Sequence, residues 1–524
     1  MVMNKEHIKE KYPVCASFLG DEVLVDLVSD PDGEGDLSGN LAELASSGKF
    51  KRYIPQLAEL EEAYYRVSRS DVAFPERVED YRINPTAEIV RSSWKLTECV
   101  SAETGEVTGE PEKGEEWILL WKDPLEGTTT VKKADKGELL SVKIVAEGID
   151  LKEAAREAGM YPGRIRSLLL DSAEKGILLR PESLLCRRIA SGNDKQSLQK
   201  ADTFTLQWHL TNVCDLRCRH CYDRTDRSPL SLEDAKRILA DMDRFCGKNR
   251  VSGHVCFTGG NPFMYPHFHR VYAEAAERGF STSILGNPVG EDELVKLNSV
   301  QVPEYFQVSL EGLEEHNDYM RGDGHFLRTL QFLDLLGRTG ISSAVMLTLT
   351  ADNINQVLQL AEELRDKTDY FTFNRLSQVG EGARIKLPGR EEYMSFLRDY
   401  VRASEENPIM GFKDNLINIV LDEGTSGQFD GCTGYGCGAA FNFITVLPDG
   451  EAHACRKFPS PVGNVLQAGM DEVYRSSSAE KYRRGPEACS DCRLALLCRG
   501  CMASTYSFGM DVSKDRDPFC TMVP

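Results

Sequence analysis

Three cysteines stand close together in Cys214-Asp-Leu-Arg-Cys218-Arg-His-Cys221-Tyr222. Thiolates at this CxxxCxxC spacing can hold three irons of a cuboidal four-iron–four-sulfur (4Fe-4S) cluster. Electron-transfer clusters normally take all four ligands from protein cysteines, and no fourth cysteine follows at a similar distance. The fourth iron is thereby left open, and an open iron is where a redox cluster does chemistry. Eight more cysteines crowd the end of the chain: Cys432, Cys437, Cys455, Cys489, Cys492, Cys498, Cys501 and Cys520. Their CxxC hooks suit structural zinc as well as iron–sulfur clusters. Cys15, Cys99, Cys186, Cys246 and Cys256 have no motif, and Cys256 reads as a buried small hydrophobe.

The 524 residues suggest three or four domains. Hydrophobic content of 41% and charged content of 27% are those of an ordinary soluble globular protein. No apolar run is long enough to span a membrane, and the polar N-terminus lacks a signal core. A cytoplasmic location is expected, with metal ligation rather than disulfides for the sixteen cysteines. A net charge of −20 argues against non-specific nucleic-acid binding.

The elements that must position the thiolates follow from hydrophobic patterning. Residues 202–390 alternate strands and helices, with strands at Phe204–Leu210, His254–Phe257, Thr282–Leu285, Tyr305–Leu310, Ala344–Leu349 and Tyr370–Asn374. Six βα units give an α/β fold with a parallel, barrel-like sheet, whose chemistry lies at the C-terminal strand ends. The cysteine run directly follows the first strand. Residues 391–430 read as a helical bridge. Residues 1–112 read as a helix-rich segment of unknown role, with helical spacing in Leu41-Ala-Glu-Leu and from Ile54. Ser101 to Glu116 reads as a polar linker. Residues 117–185 read as a compact unit. A hairpin joins Trp117–Trp121 to Thr128–Val131, and a helix follows at Leu139–Ala146. Asp150-Leu-Lys-Glu153 caps a second helix that Gly159 ends. Pro162 opens a third, and Gly176-Ile-Leu-Leu179 is a wing strand.

The cysteine run resembles the signature of the radical S-adenosylmethionine (SAM) enzymes. In that family the open iron chelates the amino and carboxylate groups of SAM, and cluster reduction yields a 5′-deoxyadenosyl radical. The resemblance implies a partial (β/α)6 barrel, catalytic ligation by Cys214, Cys218 and Cys221, and a reducing partner such as ferredoxin or flavodoxin. Gly259-Gly260-Asn261-Pro262 is similar to the family's Gly-Gly-Glu-Pro segment, with Asn in place of Glu, and implies backbone contact with the SAM amino group. Ser309, in Gln307-Val-Ser309-Leu-Glu311-Gly312, resembles the family's ribose-contacting Ser. Arg321 resembles the Arg of an Ile-Arg-Gly motif, which implies bidentate pairing with the SAM carboxylate; a surface ion pair is its other reading. Asn287 matches a place that holds the ribose or methionine end, and Tyr222 one that packs on adenine. His220 is expected beside the cluster or facing solvent, without ligating it.

Residues 431–524 resemble the SPASM extension of radical SAM maturases, which carries two auxiliary 4Fe-4S clusters. By that resemblance Cys432, Cys437, Cys455 and Cys501 hold one, and Cys489, Cys492, Cys498 and Cys520 the other. The Cys432/Cys437 and Cys498/Cys501 spacings are each one residue shorter than the common pattern, which would allow an open auxiliary iron. The stretch from Ala439 to Ser460 looks like that of thio(seleno)oxazole-type maturases. Residues 117–185 resemble the winged-helix, PqqD-like element that captures leader peptides. Together these imply a maturase of a ribosomally made precursor peptide, forming a sulfur–carbon, thioether-type bond. A maturase of a protein residue, such as a sulfatase formylglycine maker, and a non-enzymatic iron–sulfur protein are the alternatives. The oligomeric state is not legible.

Overall fold

The computed structural model describes residues 5–20, 51–101, 107–189, 197–424 and 429–522, with isolated positions 23, 41, 45 and 427. Of the helical spacing read at 41–44, only Leu41 falls among them. The chain forms two units, residues 1–154 with 167–182, and residues 155–166 with 183–524.

In the first unit, helices Lys5–Lys11, Pro13–Leu19 and Ile54–Ser68 precede strands β1 (Arg82–Ile83), β2 (Glu88–Trp94), β3 (Lys113–Lys122) and β4 (Thr129–Lys133). Helices Lys136–Glu147, Leu151–Ala158 and Pro162–Glu174 follow, the last two running across the division, and β5 (Leu178–Leu179) closes the series. Strands β2, β3 and β4 form one antiparallel sheet in that order, and β1 pairs with β5. Side chains alternate across a strand, and β3 is covered on both faces. Ile118 and Leu120 pack into a core with Leu57 and Leu60, while Leu119 and Trp121 pack with Ile177. That double burial is why β3 reads as a continuous apolar run.

The expected hairpin, three helices and wing are all present. Asp150 accepts the Lys152 N–H at 2.9 Å at the start of its helix. A full capping box lies one helix earlier, where Asp135 accepts from the Glu138 N–H and Glu138 from the Asp135 N–H. Strands β1 and β2 fall within the stretch read as helix-rich, and β3 begins inside the stretch read as a linker. Strand β2, Glu-Ile-Val-Arg-Ser-Ser-Trp, is largely polar, so its alternation gives little signal.

The second unit opens with a hairpin of β6 (Cys186–Ile189) and β7 (Ser197–Lys200). The barrel strands are β8 (Thr203–Thr211), β9 (Ser252–Gly259), β10 (Ser281–Leu285), β11 (Phe306–Ser309), β12 (Ser343–Leu349) and β13 (Tyr370–Arg375). Each pairs in parallel with the next, and helices connect them. Parallel strands buried on both faces need continuous apolar sequence; Trp208, Phe257, Phe306, Val345 and Phe371 are fully buried. The first connecting helix, Leu232–Asn249, starts at Ser231, whose hydroxyl accepts the Asp234 N–H at 3.1 Å. Its buried Ala235, Ile238, Leu239, Met242 and Phe245 recur at helical spacing.

Two helices, Arg390–Glu406 and Ile417–Gly424, lead to β14 (Phe443–Val446), β15 (Glu451–His453) and β16 (Pro461–Asn464). The sheet order is β13-β12-β11-β10-β9-β8-β14-β15-β16. Strand β14 lies parallel to β8, so the cysteine-rich module covers what would be an open edge of the barrel sheet. Tyr474 of that module packs its ring 5.0 Å from Phe245 and 5.8 Å from Phe204. No helix among the described residues is long and apolar enough to cross a membrane.

Candidate functional site

A cavity of about 540 Å³ opens at the C-terminal ends of the barrel strands. Cys214, Cys218 and Cys221 line it from the loop after β8, with Tyr222 beside them. Gly259 at the end of β9 and Gly260 just after it line it too, with Asn287 after β10, Ser309 at the end of β11, and Arg321 from the helix that follows. Nine residues from five separate stretches of the chain thus meet in one cavity. Asn261 and Pro262 stand behind it: the Asn261 amide donates to Asp215 at 2.9 Å, and its oxygen accepts the Phe263 N–H at 3.3 Å.

The two glycines are required by the cysteine loop itself. A Cβ on Gly259 would stand 2.3 Å from the Thr211 carbonyl oxygen, and one on Gly260 would stand 2.2 Å from that of Val213. Gly259 also has φ +127°, in the region that side chains disfavour. The Gly260 N–H donates to the Thr211 carbonyl at 2.7 Å, and the Asn261 N–H to that of Val213 at 2.9 Å. The glycine turn and the cysteine loop are therefore zipped backbone to backbone.

Donors surround the sulfurs. The Asn287 amide reaches Cys214 Sγ at 3.4 Å, as does the Leu216 N–H. Burial pushes the Cys214 thiol up, and these two bonds pull partly back. Arg321 directs one guanidinium nitrogen at Cys218 Sγ, 3.7 Å away. Its Nε and a second terminal nitrogen donate to the same oxygen of Glu311, at 2.9 and 2.6 Å. Arg321 is thus in an ion pair, but a buried one rather than a surface one. Glu311 is completely buried and also accepts the Thr348 N–H at 2.7 Å. His220 Nε2 lies 3.2 Å from it, and His220 lines the same cavity as the three thiols. Burial alone would raise the Glu311 pKa; the His220 and Arg321 charges outweigh it and hold the carboxyl well below its usual range. Tyr222 donates or accepts at His209, 3.1 Å from its Nε2, with the rings edge-on at 5.9 Å.

The last eight cysteines gather into two sets. Burial pushes the Cys432 thiol up to about 12, and nearby Cys437, Cys501 and Cys455 add to the rise. Burial likewise takes Cys455 up to about 11, with the Lys457 N–H pulling partly back and Cys501 and Cys437 adding to the rise. Cys489, Cys492, Cys498 and Cys520 line one small second cavity. Cys432 and Cys501 thus lie near Cys437 and Cys455, and the other four cysteines share the second cavity. Ligation requires thiolates, so a cluster entering either set displaces protons. Of the cysteines without motifs, Cys256 is buried on β9, as expected.

Three cations here carry no sequence signal. Arg375 ends β13 on the cavity wall and pairs with Asp414 at 2.7 Å and Asp517 at 2.6 Å. Asp517 in turn accepts the Cys501 N–H at 2.8 Å. One buried cluster of charges thus ties the barrel, the helical bridge and the cysteine module together. Arg499, between two cysteines of the series, donates to the Cys437 carbonyl at 2.5 Å and to that of Arg483 at 2.9 Å. Arg456 reaches from the module to Thr258 of β9. Only a pairing of distant segments, invisible to local pattern, reveals them.

A barrel with three thiols at its strand ends, joined to a module with eight further cysteines, is an arrangement suited to iron–sulfur clusters. The radical SAM superfamily model matches residues 208–364, and the model of an iron–sulfur cluster-binding SPASM domain matches residues 437–502. The chain is 28% identical over 338 residues to the mycofactocin maturase MftC of Mycobacterium ulcerans, across 60% of this chain and 87% of that protein. It is 24% identical over 323 residues to the antilisterial bacteriocin subtilosin biosynthesis protein AlbA of Bacillus subtilis, across 59% of this chain and 68% of that protein. The crystal structure of Streptococcus suis SuiB bound to precursor peptide SuiA shares the fold, with TM-score 0.50 and 17% identity over 78% of this chain and 97% of that one. The chain is a radical SAM enzyme with a SPASM domain, and its cofactors are 4Fe-4S clusters and SAM. The non-enzymatic reading and the zinc reading both fall.

Proposed function

We propose that this enzyme matures a ribosomally made precursor peptide. The observation that carries the reading is the joining, in one chain, of a hairpin–three-helix–wing unit to a radical SAM core and a cysteine module. Relatives named as peptide maturases support it. Cys214, Cys218 and Cys221 would hold the SAM-binding cluster, whose thiols already face one cavity with N–H donors on two sulfurs. When bound, that cluster and SAM supply a radical able to take a hydrogen atom from carbon. Asn287 and Arg321 hold two of the thiolates in place. Gly259, Gly260, Asn261 and Pro262 fix the cysteine loop, and the glycines leave room for the SAM amino end. Ser309 and Tyr222 offer a hydroxyl and a ring to the nucleoside. The remaining wall excludes water from the reacting carbon. Cys432, Cys437, Cys455 and Cys501, and separately Cys489, Cys492, Cys498 and Cys520, would hold the auxiliary clusters. The reaction needs a low-potential donor such as ferredoxin or flavodoxin and unoxidised thiols, which fits the cytoplasm. The product is a thioether-type bond at a peptide cysteine, formed with loss of two hydrogens. Mass spectrometry with alkylation tests that bond: a product whose cysteines all alkylate normally rules it out.

Residues 117–185, with β2 as their third strand, form the leader-binding unit. Leader capture by strand addition needs a free sheet edge. The outer edge of β2 is partly capped, because the Gln56 side chain accepts the Ser93 N–H at 2.8 Å. Strand β4 differs. The Asp123–Thr128 and Trp117–Ala134 bonds, with the register between them, turn the Thr128, Thr130, Lys132 and Ala134 amides toward β3. The N–H groups of Thr129, Val131 and Lys133 then point outward, with no backbone partner among the described residues. Val131→Pro removes one outward donor without touching the ladder. It should weaken precursor binding about tenfold and leave peptide-free SAM cleavage unchanged. Full affinity in this variant would place the leader elsewhere.

A further inference from the structure

The cavity wall carries more positive charge than its own partners balance. Arg217, Arg224, Arg321, Arg375, Arg456 and Lys457 line it, against one lining carboxylate, Asp223. Arg321 is held by Glu311, and Arg375 by Asp414 and Asp517. Arg224 donates to the Cys218 carbonyl at 2.6 Å, and Arg217 is exposed at the mouth. Arg456 and Lys457 are half-buried, and no carboxylate lies within ion-pair distance of either among the described residues. Arg456 makes one hydrogen bond, to the Thr258 hydroxyl at 3.2 Å, one residue before the Gly259–Gly260 turn.

The placement of Arg456 is informative. It follows Cys455 directly, yet its side chain turns away from that thiol and into the barrel. Arg456 thus stands between the SAM end of the cavity and the first auxiliary set, where a substrate residue must lie to meet both. A half-buried guanidinium with free donors is a carboxylate receptor, able to form paired N–H···O bonds.

We propose that Arg456, assisted by Lys457, binds a carboxylate of the substrate, so that the reacting segment carries an acidic side chain or ends in its C-terminal carboxylate. The proposal rests on the peptide-maturase reading, but its test needs no precursor. Reconstituted, SAM-loaded enzyme is titrated with three radiolabelled probes in flow dialysis. N-acetyl-glutamate α-amide offers only a side-chain carboxylate, N-acetyl-glutamine only a C-terminal one, and N-acetyl-glutamine amide neither. One of the two acids should bind at least about tenfold more tightly than the neutral amide, and which one binds identifies the source. Arg456→Gln should abolish that preference with iron content and SAM affinity intact, and Lys457→Gln should reduce it. Equal binding of all three probes, or binding of none, overturns the proposal for the unaltered enzyme without any variant. It is equally overturned if Arg456→Gln keeps the preference, loses about four irons, which makes it a charge partner of the auxiliary thiols, or loses SAM affinity, which assigns the carboxylate to SAM. If the enzyme modifies no peptide, the maturase reading fails while the probe result stands.

Discussion

Replacing Glu311 by Gln tests how the SAM-cluster cysteines are held. Glu311 is completely buried and takes two bonds from Arg321, one from the Thr348 amide, and a contact from His220. Gln has the same shape and retains an acceptor, but it leaves the buried Arg321 guanidinium without a counter-charge. Breaking one side of a buried pair costs roughly 3–5 kcal/mol, and the retained acceptor places this change near about 3 kcal/mol. At tenfold per about 1.4 kcal/mol, that is on the order of a hundredfold. Arg321 is also the donor aimed at Cys218 Sγ, so the loss should fall on the first cluster. After anaerobic reconstitution, the variant should surrender about four of about twelve irons to a chelator far faster than the unaltered enzyme. 5′-Deoxyadenosine production should fall in parallel. The folded pKa of Glu311 is depressed, so its contribution is complete above the ordinary carboxylate value and lost only as pH falls toward the folded one. Glu311 therefore stays ionised at pH 9, where Arg321 is still its charged partner, and the defect should persist there. Iron retention and SAM cleavage within twofold of the unaltered enzyme would refute the reasoning.

Gly260→Ala forces a Cβ against the Val213 carbonyl, displacing the cysteine loop; iron analysis should show about four irons lost and the C-terminal sets filled. Equal loss from all sites would mean general misfolding instead. In the first unit, burial raises Glu61 to about 7, with the Cys15 side chain and the Val14 and Cys15 amides pulling partly back. A raised carboxyl favours the fold below its unfolded pKa, and that contribution is lost as pH rises through the folded value. Between pH 5.5 and pH 8 the cost is about 2 kcal/mol. Glu61→Gln should remove this dependence, read as hydrogen exchange at Val14 and Cys15; matching pH profiles in the two proteins would contradict it.

Much of the second unit was legible because its signals are local. Six apolar strands separated by helical patterns, a cysteine run after the first, and glycines after the second lie where the structure places them. The same holds for the hairpin, helices and wing of residues 117–185. What escaped the sequence depends on segments meeting at a distance. Strand β2 alternates poorly, with Glu88 and Ser92 on its covered side and Ile89 on its open one, and its partner β3 lies beyond a polar stretch. Strand β14 completes the barrel sheet from more than two hundred residues away from β8. Glu311 is in view two residues after Ser309, but its pairing with Arg321 appears only when β11 and the following helix are folded. The auxiliary spacings leave an open iron possible by sequence, and the structure adds only which cysteines are neighbours: Cys432 lies near Cys437, Cys455 and Cys501, and the other four share a cavity.

The most direct measurement of the central claim follows a hydrogen atom. A short cysteine-containing precursor peptide, identified by sequencing the genes that flank this chain's own, is synthesised with perdeuterated residues and incubated anaerobically with reconstituted enzyme, SAM and a low-potential reductant. Deuterium should appear in 5′-deoxyadenosine, in step with a peptide product lacking two hydrogens. If 5′-deoxyadenosine forms at the same rate with and without the peptide, carries no deuterium, and the peptide mass is unchanged, this peptide is not the substrate and the account is contradicted.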